Sequence, residues 1–137
     1  MLEKKSVVVL DETLSVGIAF NTLAHLSLSI GKNVNDIVGK ELLMDASGVT
    51  HMGLSKYPFI ILKANSQKIR DITNEAKENS KLLVVDFPEY AYTTYTDEEL
   101  QEAMSKTKEE TLKYYGVVLF GPVEEVDKLT KQLPLWK

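Results

Sequence analysis

The chain has 137 residues, of which 44% are hydrophobic and 26% charged, with a formal net charge of −4 and no cysteine. This length fits one domain, residues 1–137, with a single core, and the composition is too apolar for a disordered chain. The lack of cysteine excludes disulfides, thiolate metal sites and cysteine nucleophiles. Fifteen of the sixteen basic residues are lysine, so this acidic chain with its lone Arg70 is a poor candidate for binding nucleic acid.

The sequence predicts neither a secretory signal nor a transmembrane helix. The first apolar run, residues 7–10, is shorter than the apolar core of about 7–15 residues that a signal peptide needs. The longest uncharged stretch, residues 13–31, contains seven polar side chains, which are too many for a membrane-spanning helix. We therefore expect a cytoplasmic protein without a membrane partner.

Four short apolar runs are typical of β-strands. They are continuous rather than alternating and rich in β-branched residues, which is the pattern of strands covered on both faces. Helical segments separate them, so the sequence predicts an α/β fold, a three-layer α/β/α sandwich. The four runs are residues 7–10, 59–62, 82–85 and 117–120.

The first predicted helix, residues 15–30, is apolar around nearly its whole circumference. A helix of this kind is expected to be buried. Its polar side chains share one narrow strip, because helix positions three, four and seven apart lie on the same side. We expect this strip to face a cleft, a partner subunit or satisfied backbone groups. The strip consists of Asn21, Thr22, His25 and Ser29.

A small β-hairpin and several further helices are predicted from turn and capping residues. Residues 45–48 separate two short apolar runs, and Gly48 is free to take the positive φ that a tight turn needs. Capping residues mark the helix starts. The hairpin strands are residues 41–44 and 49–52, and the helices begin at Ser66, at Thr96, at Thr107 for a short one, and near Pro122.

Two carboxylates and a histidine are the candidates for chemistry. Open α/β sheets bind ligands beyond the carboxyl ends of their strands, and Asp11 and Asp86 directly follow apolar runs. Partial desolvation raises the basicity of such a carboxylate and suits acid/base work, whereas the alternative is an Asp that caps a turn. His25 is a candidate proton shuttle or hydrogen-bond donor, and its alternative is a core histidine bonded to a carbonyl.

Residues 90–96 hold three Tyr and three Thr directly after the Asp86 loop. Rings and hydroxyls can stack on a planar ligand and hydrogen-bond to it, whereas the alternative is a β-rich connecting loop whose tyrosines cover the sheet edge. The combined pattern predicts one cleft in which Asp86 and His25 are the candidate catalytic residues. The candidate ligand-binding residues are Asp11, Asn21, Thr22, Thr93 and Thr94.

Motifs for metals and phosphates do not occur in this sequence. It contains neither HExxH nor the glycine patterns GxGxxG and GxxxxGK[ST], which hold zinc, dinucleotides and nucleotide phosphates. The nucleophile motif GxSxG is lacking as well. We therefore expect no metal and no cofactor.

The C-terminal residues 118–130 resemble the end of type II peptidyl-tRNA hydrolases, with a strand, Gly121-Pro122 and then Val126-Asp127-Lys128-x-Thr130. Residues 84–86 and the N-terminal strand with Asp11 are similar to these enzymes as well. Over nearly the whole chain the closer resemblance is to an uncharacterised bacterial family with the same fold. That resemblance rests on residues 45–48, 55–58 and 133–135. It implies a four-stranded mixed sheet between helices, often in a homodimer.

The site residues of the hydrolases are only partly matched. Asp86 corresponds to the Asp of their Asp-Ala-Gly-Arg-Thr motif, but residues 87–89 differ and no Arg follows. Ile18 stands where these enzymes have a functionally important Lys. Their Gln and Thr correspond to one of Asn21 and Thr22, and to one of Thr93 and Thr94.

The sequence therefore favours an α/β domain that keeps this fold and binds a small ligand or a partner without the tRNA chemistry. A protein of this acidity has no basic surface for a polyanion such as tRNA. The first alternative is a hydrolase in which Asp86 activates water or orients a hydroxyl. The second alternative is a structural homodimer with the first helix at its interface.

Overall fold

The computed structural model describes residues 3–137, and residues 1 and 2 of the predicted domain lie outside this range. The described strands are β1 (Lys4–Asp11), β2 (Leu42–Met44), β3 (Thr50–Met52), β4 (Phe59–Ala64), β5 (Leu83–Pro88) and β6 (Tyr114–Pro122). The helices are α1 (Val16–Asn33), α2 (Ser66–Lys77), α3 (Glu89–Thr93), α4 (Asp97–Ser105) and α5 (Val123–Thr130), with a 3₁₀ turn at Glu109–Thr111.

Four of these strands form one mixed sheet in the order β4-β1-β6-β5, which confirms the predicted α/β class and the four-stranded sheet. Strand β1 is parallel to β4, and β6 is antiparallel to both of its neighbours. The carboxyl ends of β1, β4 and β5 therefore lie at one edge of the sheet, together with the amino end of β6. Each predicted apolar run lies in or overlaps a strand, but β5 continues through Asp86 to Pro88 because it pairs with β6.

The two faces of the sheet are covered by different helices. Val7 and Val9 pack in the core beneath α2 and α5, whereas Val8 and Leu10 pack in the core beneath α1. These four side chains are 0–1% exposed, as expected for a strand covered on both faces. Full burial of one such side chain contributes roughly 1.5–3 kcal/mol, so the central strands carry much of the stability.

Helix α1 is not buried all round, and this part of the prediction is wrong. Ala19, Leu26 and Ile30 are buried against the sheet, but Phe20 and Leu28 are 58% and 72% exposed. The helix also continues to Asn33. A helix on the outside of a sheet has one covered face, and its own sequence does not show whether a second element covers the other.

The N-caps of α2 and α4 lie within one residue of their predicted positions. The N-cap of α2 is Asn65 rather than the predicted Ser66, because the Asn65 side chain accepts a hydrogen bond from the Lys68 N–H. Thr96 caps α4 as predicted. The signal at Thr107 produces only the 3₁₀ turn, and residues 89–93 form α3 rather than a β-rich loop.

The predicted hairpin is present as a separate two-stranded sheet. Strands β2 and β3 are antiparallel, and Gly48 in their turn has a φ of +82°. Residues 38–56, which we call the arm, are exposed except for the partly covered Gly53. Hydrogen bonds close its base, among them the Lys56 N–H to the Ile37 carbonyl at 2.8 Å. The arm is therefore an ordered ribbon that projects from the side of the molecule.

The lone arginine has a structural position. Arg70 on α2 donates hydrogen bonds to the Glu109 carboxylate and to the carbonyls of Glu109 and Leu112. Its guanidinium also lies over the ring of Tyr114, 5.4 Å from the centroid. The planar fork of arginine suits such a set of acceptors, so this residue fixes the 3₁₀ turn against the start of β6.

None of the helices within residues 3–137 has the length and apolar character needed to cross a membrane.

Candidate functional site

A cleft of about 390 Å³ lies at the carboxyl-end edge of the sheet, on the side of α1. It is bounded by α1, the end of β5 and the segment that joins α3 to α4. Three of the predicted site residues line it, namely Asn21, His25 and Thr94. The other lining residues are Phe87, Ala91, Tyr92, Tyr95, Thr96, Asp97 and Leu100.

Aromatic rings form the floor and one side of this cleft. The centroids of His25 and Phe87 are 5.8 Å apart, and Phe87 is nearly parallel to Tyr115 with a centroid separation of 6.3 Å. Tyr92 lies 6.2 Å from Tyr115. These separations are within the range of favourable aromatic pairs, so the rings support one another.

Polar groups stand at the rim of the same cleft. The Thr94 hydroxyl donates to the Tyr90 carbonyl at 2.7 Å, which fixes its position and leaves its lone pairs to accept. Asn21 and His25 are exposed side chains on α1. The amide and the imidazole can therefore donate to a ligand or accept from it.

Asp86 is not in this cleft. Side chains alternate along a strand, and Val85 and Phe87 pack on the α1 side of the sheet. Asp86 points to the opposite side, where its Oδ2 is 2.7 Å from the Nζ of Lys77 on α2. The structure therefore does not bring Asp86 and His25 together, and the predicted common cleft divides into two sites on opposite faces.

Asp11 is held at the end of β1. It is 1% exposed, and its Oδ1 accepts from the Thr13 N–H at 2.9 Å and from the Thr13 hydroxyl at 2.7 Å. Its Oδ2 lies 4.0 Å from the Nζ of Lys113. Oδ1 therefore caps the turn after β1, while Oδ2 forms a loose ion pair. Asp11 does not line the cleft.

The two remaining predicted residues have local positions. Thr22 is fully buried on the sheet side of α1, and its hydroxyl has no hydrogen-bond partner in the described part of the chain. It packs on Gly116, where an added Cβ would lie 3.2 Å from the Thr22 methyl. Thr93 is exposed, with its hydroxyl 3.4 Å from the Tyr90 carbonyl. Neither residue lines the cleft.

Sequence reasoning missed several residues of the cleft. Phe87 directly follows Asp86, and its ring lies between His25 and Tyr115 at the base of the cleft. Leu100 on α4 also lines the cleft, and nothing in its neighbourhood in the sequence marks it. The cluster of tyrosines at residues 90–96 was the available signal, and Tyr92 and Tyr95 do line the cleft.

A second groove on the sheet is a weaker candidate than this cleft. A larger groove of about 720 Å³ lies at the opposite end of the sheet, away from the carboxyl ends of the parallel strands β1, β4 and β5, where α/β sheets bind ligands. Among the residues of the described range that line it, Phe120 is the single aromatic one. Within residues 3–137 the structure places no group of three or more His, Asp or Glu side chains that could hold a metal ion.

A family model described as "Protein of unknown function (DUF2000)" matches residues 4–137. The chain belongs to the DUF2000 family. Among solved structures, it is similar to the protein of unknown function Atu0240 from Agrobacterium tumefaciens strain C58, with 24% identity and a TM-score of 0.86. This match covers 100% of both chains. The comparison with curated proteins found no match.

These comparisons bear out the expected likeness to an uncharacterised family and, through the shared fold, the α/β architecture. The resemblance to type II peptidyl-tRNA hydrolases stays a prediction.

Proposed function

We propose that this DUF2000 protein binds a small planar molecule in the cleft between α1 and the α3–α4 segment. The observation that carries the proposal is a ring-lined cleft with free polar groups at its rim. Tyr92, Tyr95 and the His25 imidazole are exposed rings that line the cleft, and Asn21 and Thr94 can fix the orientation of the ligand. The volume of about 390 Å³ lies within the range of small-molecule sites.

The geometry gives less support to hydrolysis. A hydrolytic role for Asp86 requires a substrate at that carboxylate, but Asp86 is paired with Lys77 on the face away from the cleft. The Asp11 carboxylate is also engaged, through Thr13 and Lys113. Both carboxylates thus have structural partners, and a binding function needs neither of them to react.

The test is a titration of the full chain with two planar probes, indole and adenine, followed by amide chemical shifts. We expect shifts at residues 91–97 and around His25. Truncation of Tyr92 to Ala removes a stacking face and is expected to weaken binding of the responding probe about tenfold, since stacking on an aromatic side chain contributes about 1–3 kcal/mol.

Asp86→Asn is the matched control, because Asp86 lies on the other face of the sheet. Binding within about twofold of the unmodified chain is expected for this variant, a change of less than about 0.5 kcal/mol. Shifts that cluster at residues 77 and 86 instead would place the ligand at the carboxylate and favour the hydrolase alternative. A lack of shifts with both probes at millimolar concentration would contradict a planar ligand.

We also infer that the protein acts as a homodimer with α1 at the interface. The exposed side of α1 carries Val16, Phe20 and Leu28, which are 57–72% exposed. Exposed apolar side chains that follow one another along a helix face are typical of protein–protein contacts.

A further inference from the structure

The chain exposes more surface than a compact monomer of its mass. A folded monomer of 15.4 kDa is expected to expose about 7,200 Å², whereas this chain exposes 8784 Å². The excess of about 1,600 Å² is larger than the roughly 800 Å² that each partner buries in a standard protein–protein interface. The excess surface is therefore sufficient for a stable dimer.

The exposed apolar side chains are concentrated on two parts of the molecule that follow one another in the chain. Of the thirteen large hydrophobic residues that are exposed, ten lie on α1 or on the arm. Seven of them belong to the arm, namely Val38, Leu42, Leu43, Met44, Val49, Met52 and Leu54. An isolated two-stranded hairpin is marginally stable in water, so an arm with apolar side chains and no covering layer indicates a surface that is covered in the assembled protein.

The arm is ordered before any partner arrives. The Asp45 carboxylate accepts from the N–H groups of Ser47 and Val49 and pairs with His51 Nε2 at 2.8 Å. The hydrogen bond from His51 lowers the pKa of Asp45, which keeps this carboxylate ionised. A binding element that is already ordered loses less conformational entropy on association.

Charge indicates what kind of partner fits. The whole chain has a net charge of −4, so two copies repel each other over most of their surface. Residues 13–31 carry no charged side chain, and the arm carries two lysines and two acidic residues, so its net charge is zero. These neutral apolar surfaces are where a second copy can approach, whereas a membrane surface would require a basic rim that the arm lacks.

We propose that the arm, together with the exposed side of α1, clasps a second copy of this chain in a two-fold dimer. This inference rests on the proposed homodimer and adds the arm as its second contact element. In a two-fold interface the same surface is used on both copies, so each copy contributes an arm and a helix face.

The experiment is sedimentation equilibrium of the full chain and of three single variants. Met52→Glu places a charge on the arm, Leu28→Glu places one on α1, and Tyr95→Glu is the control at a residue 97% exposed outside both surfaces. We expect the unmodified chain and the control to be dimeric at micromolar concentration. The other two variants are expected to dissociate about 100-fold more readily, because each would bury an unpaired charge.

The outcomes distinguish the contact through the arm from the dimer through α1. A monomeric Leu28→Glu with a dimeric Met52→Glu would overturn the role of the arm and leave the dimer through α1. An unmodified chain that is monomeric at 100 μM, or two dimeric variants, would overturn both. Amide exchange of the unmodified chain gives an independent readout. The amides of residues 42–44 and 50–52 are expected to exchange more slowly as the protein concentration rises. Exchange that does not change with concentration would overturn the arm contact.

Discussion

The central sheet and the arm are built from the same kinds of residue but have opposite environments. Strand β6 contains the run Val117-Val118-Leu119, and strand β2 consists of Leu42-Leu43-Met44. Leu119 in β6 is 0% exposed, whereas Leu42 in β2 is 61% exposed. The difference teaches that an apolar run predicts a strand, but its neighbours in space decide whether that strand stabilises the fold or remains available for a partner.

The largest expected difference between the two regions is in the stability of the monomer. Leu119→Ala creates a cavity between the sheet and α2, and we expect it to lower the free energy of unfolding by about 2–5 kcal/mol. Leu42→Ala is the matched control, with an expected change within about 0.5 kcal/mol. Urea unfolding at a protein concentration that keeps the chain monomeric measures both. Equal losses would show that the arm belongs to the cooperative core.

A glycine substitution is expected to break the arm alone. An added Cβ at Gly53 would lie 1.6 Å from the Lys40 carbonyl oxygen, so Gly53→Ala cannot keep the base of the arm closed. We expect fast amide exchange in residues 40–53 with little change in the sheet, measured by exchange and mass spectrometry. Gly17→Ala is the control, because nothing lies within 4 Å of its added Cβ. Loss of protection in β1 and β6 as well would show that the arm and the sheet unfold together.

The smallest expected effect comes from Tyr114 in strand β6 of the sheet, and it appears only in alkaline solution. Burial and the hydrogen bond that Tyr114 donates to Glu109 at 3.0 Å raise the pKa of Tyr114 above its ordinary value. Above about pH 10 the unfolded chain loses this proton while the folded chain keeps it, so the free energy of unfolding falls as the pH rises further. Below that pH the contribution is fully present.

Tyr114→Phe removes this titration. Between pH 10 and 11.5 we expect the free energy of unfolding to fall less in this variant than in the unmodified chain. At neutral pH its free energy of unfolding is expected to be lower, because one hydrogen bond is lost. Tyr95→Phe is the matched control, because it removes the same hydroxyl at an exposed position. Parallel stability curves for all three proteins would contradict a raised pKa at Tyr114.

Much of the fold was predictable because its signals are local. The strand runs, the turn at Gly48 and the cap at Thr96 depend on residues within a few positions of each other. The length of β5 was not predictable in this way, since Asp86 belongs to the strand only through its pairing with Val117.

The candidate site was predictable only in part, because it depends on which face of an element each side chain occupies. Asn21, His25 and Thr94 meet at the cleft, as the polar strip and the Tyr/Thr segment indicated. Asp86 follows its apolar run in the same way as Asp11, but strand alternation turns it to Lys77. A shift of one residue along a strand moves a side chain to the other face, and the sequence does not fix that register by itself.

The sequence by itself determined the class of the fold and the position of the hairpin, because composition and short-range patterns carry that information. Only the tertiary structure decided that the lone Arg70 binds Glu109 and Leu112, that the two candidate catalytic residues lie on opposite faces, and that α1 and the arm are uncovered. These outcomes depend on contacts between residues far apart in the chain, for which no local pattern supplies the partner.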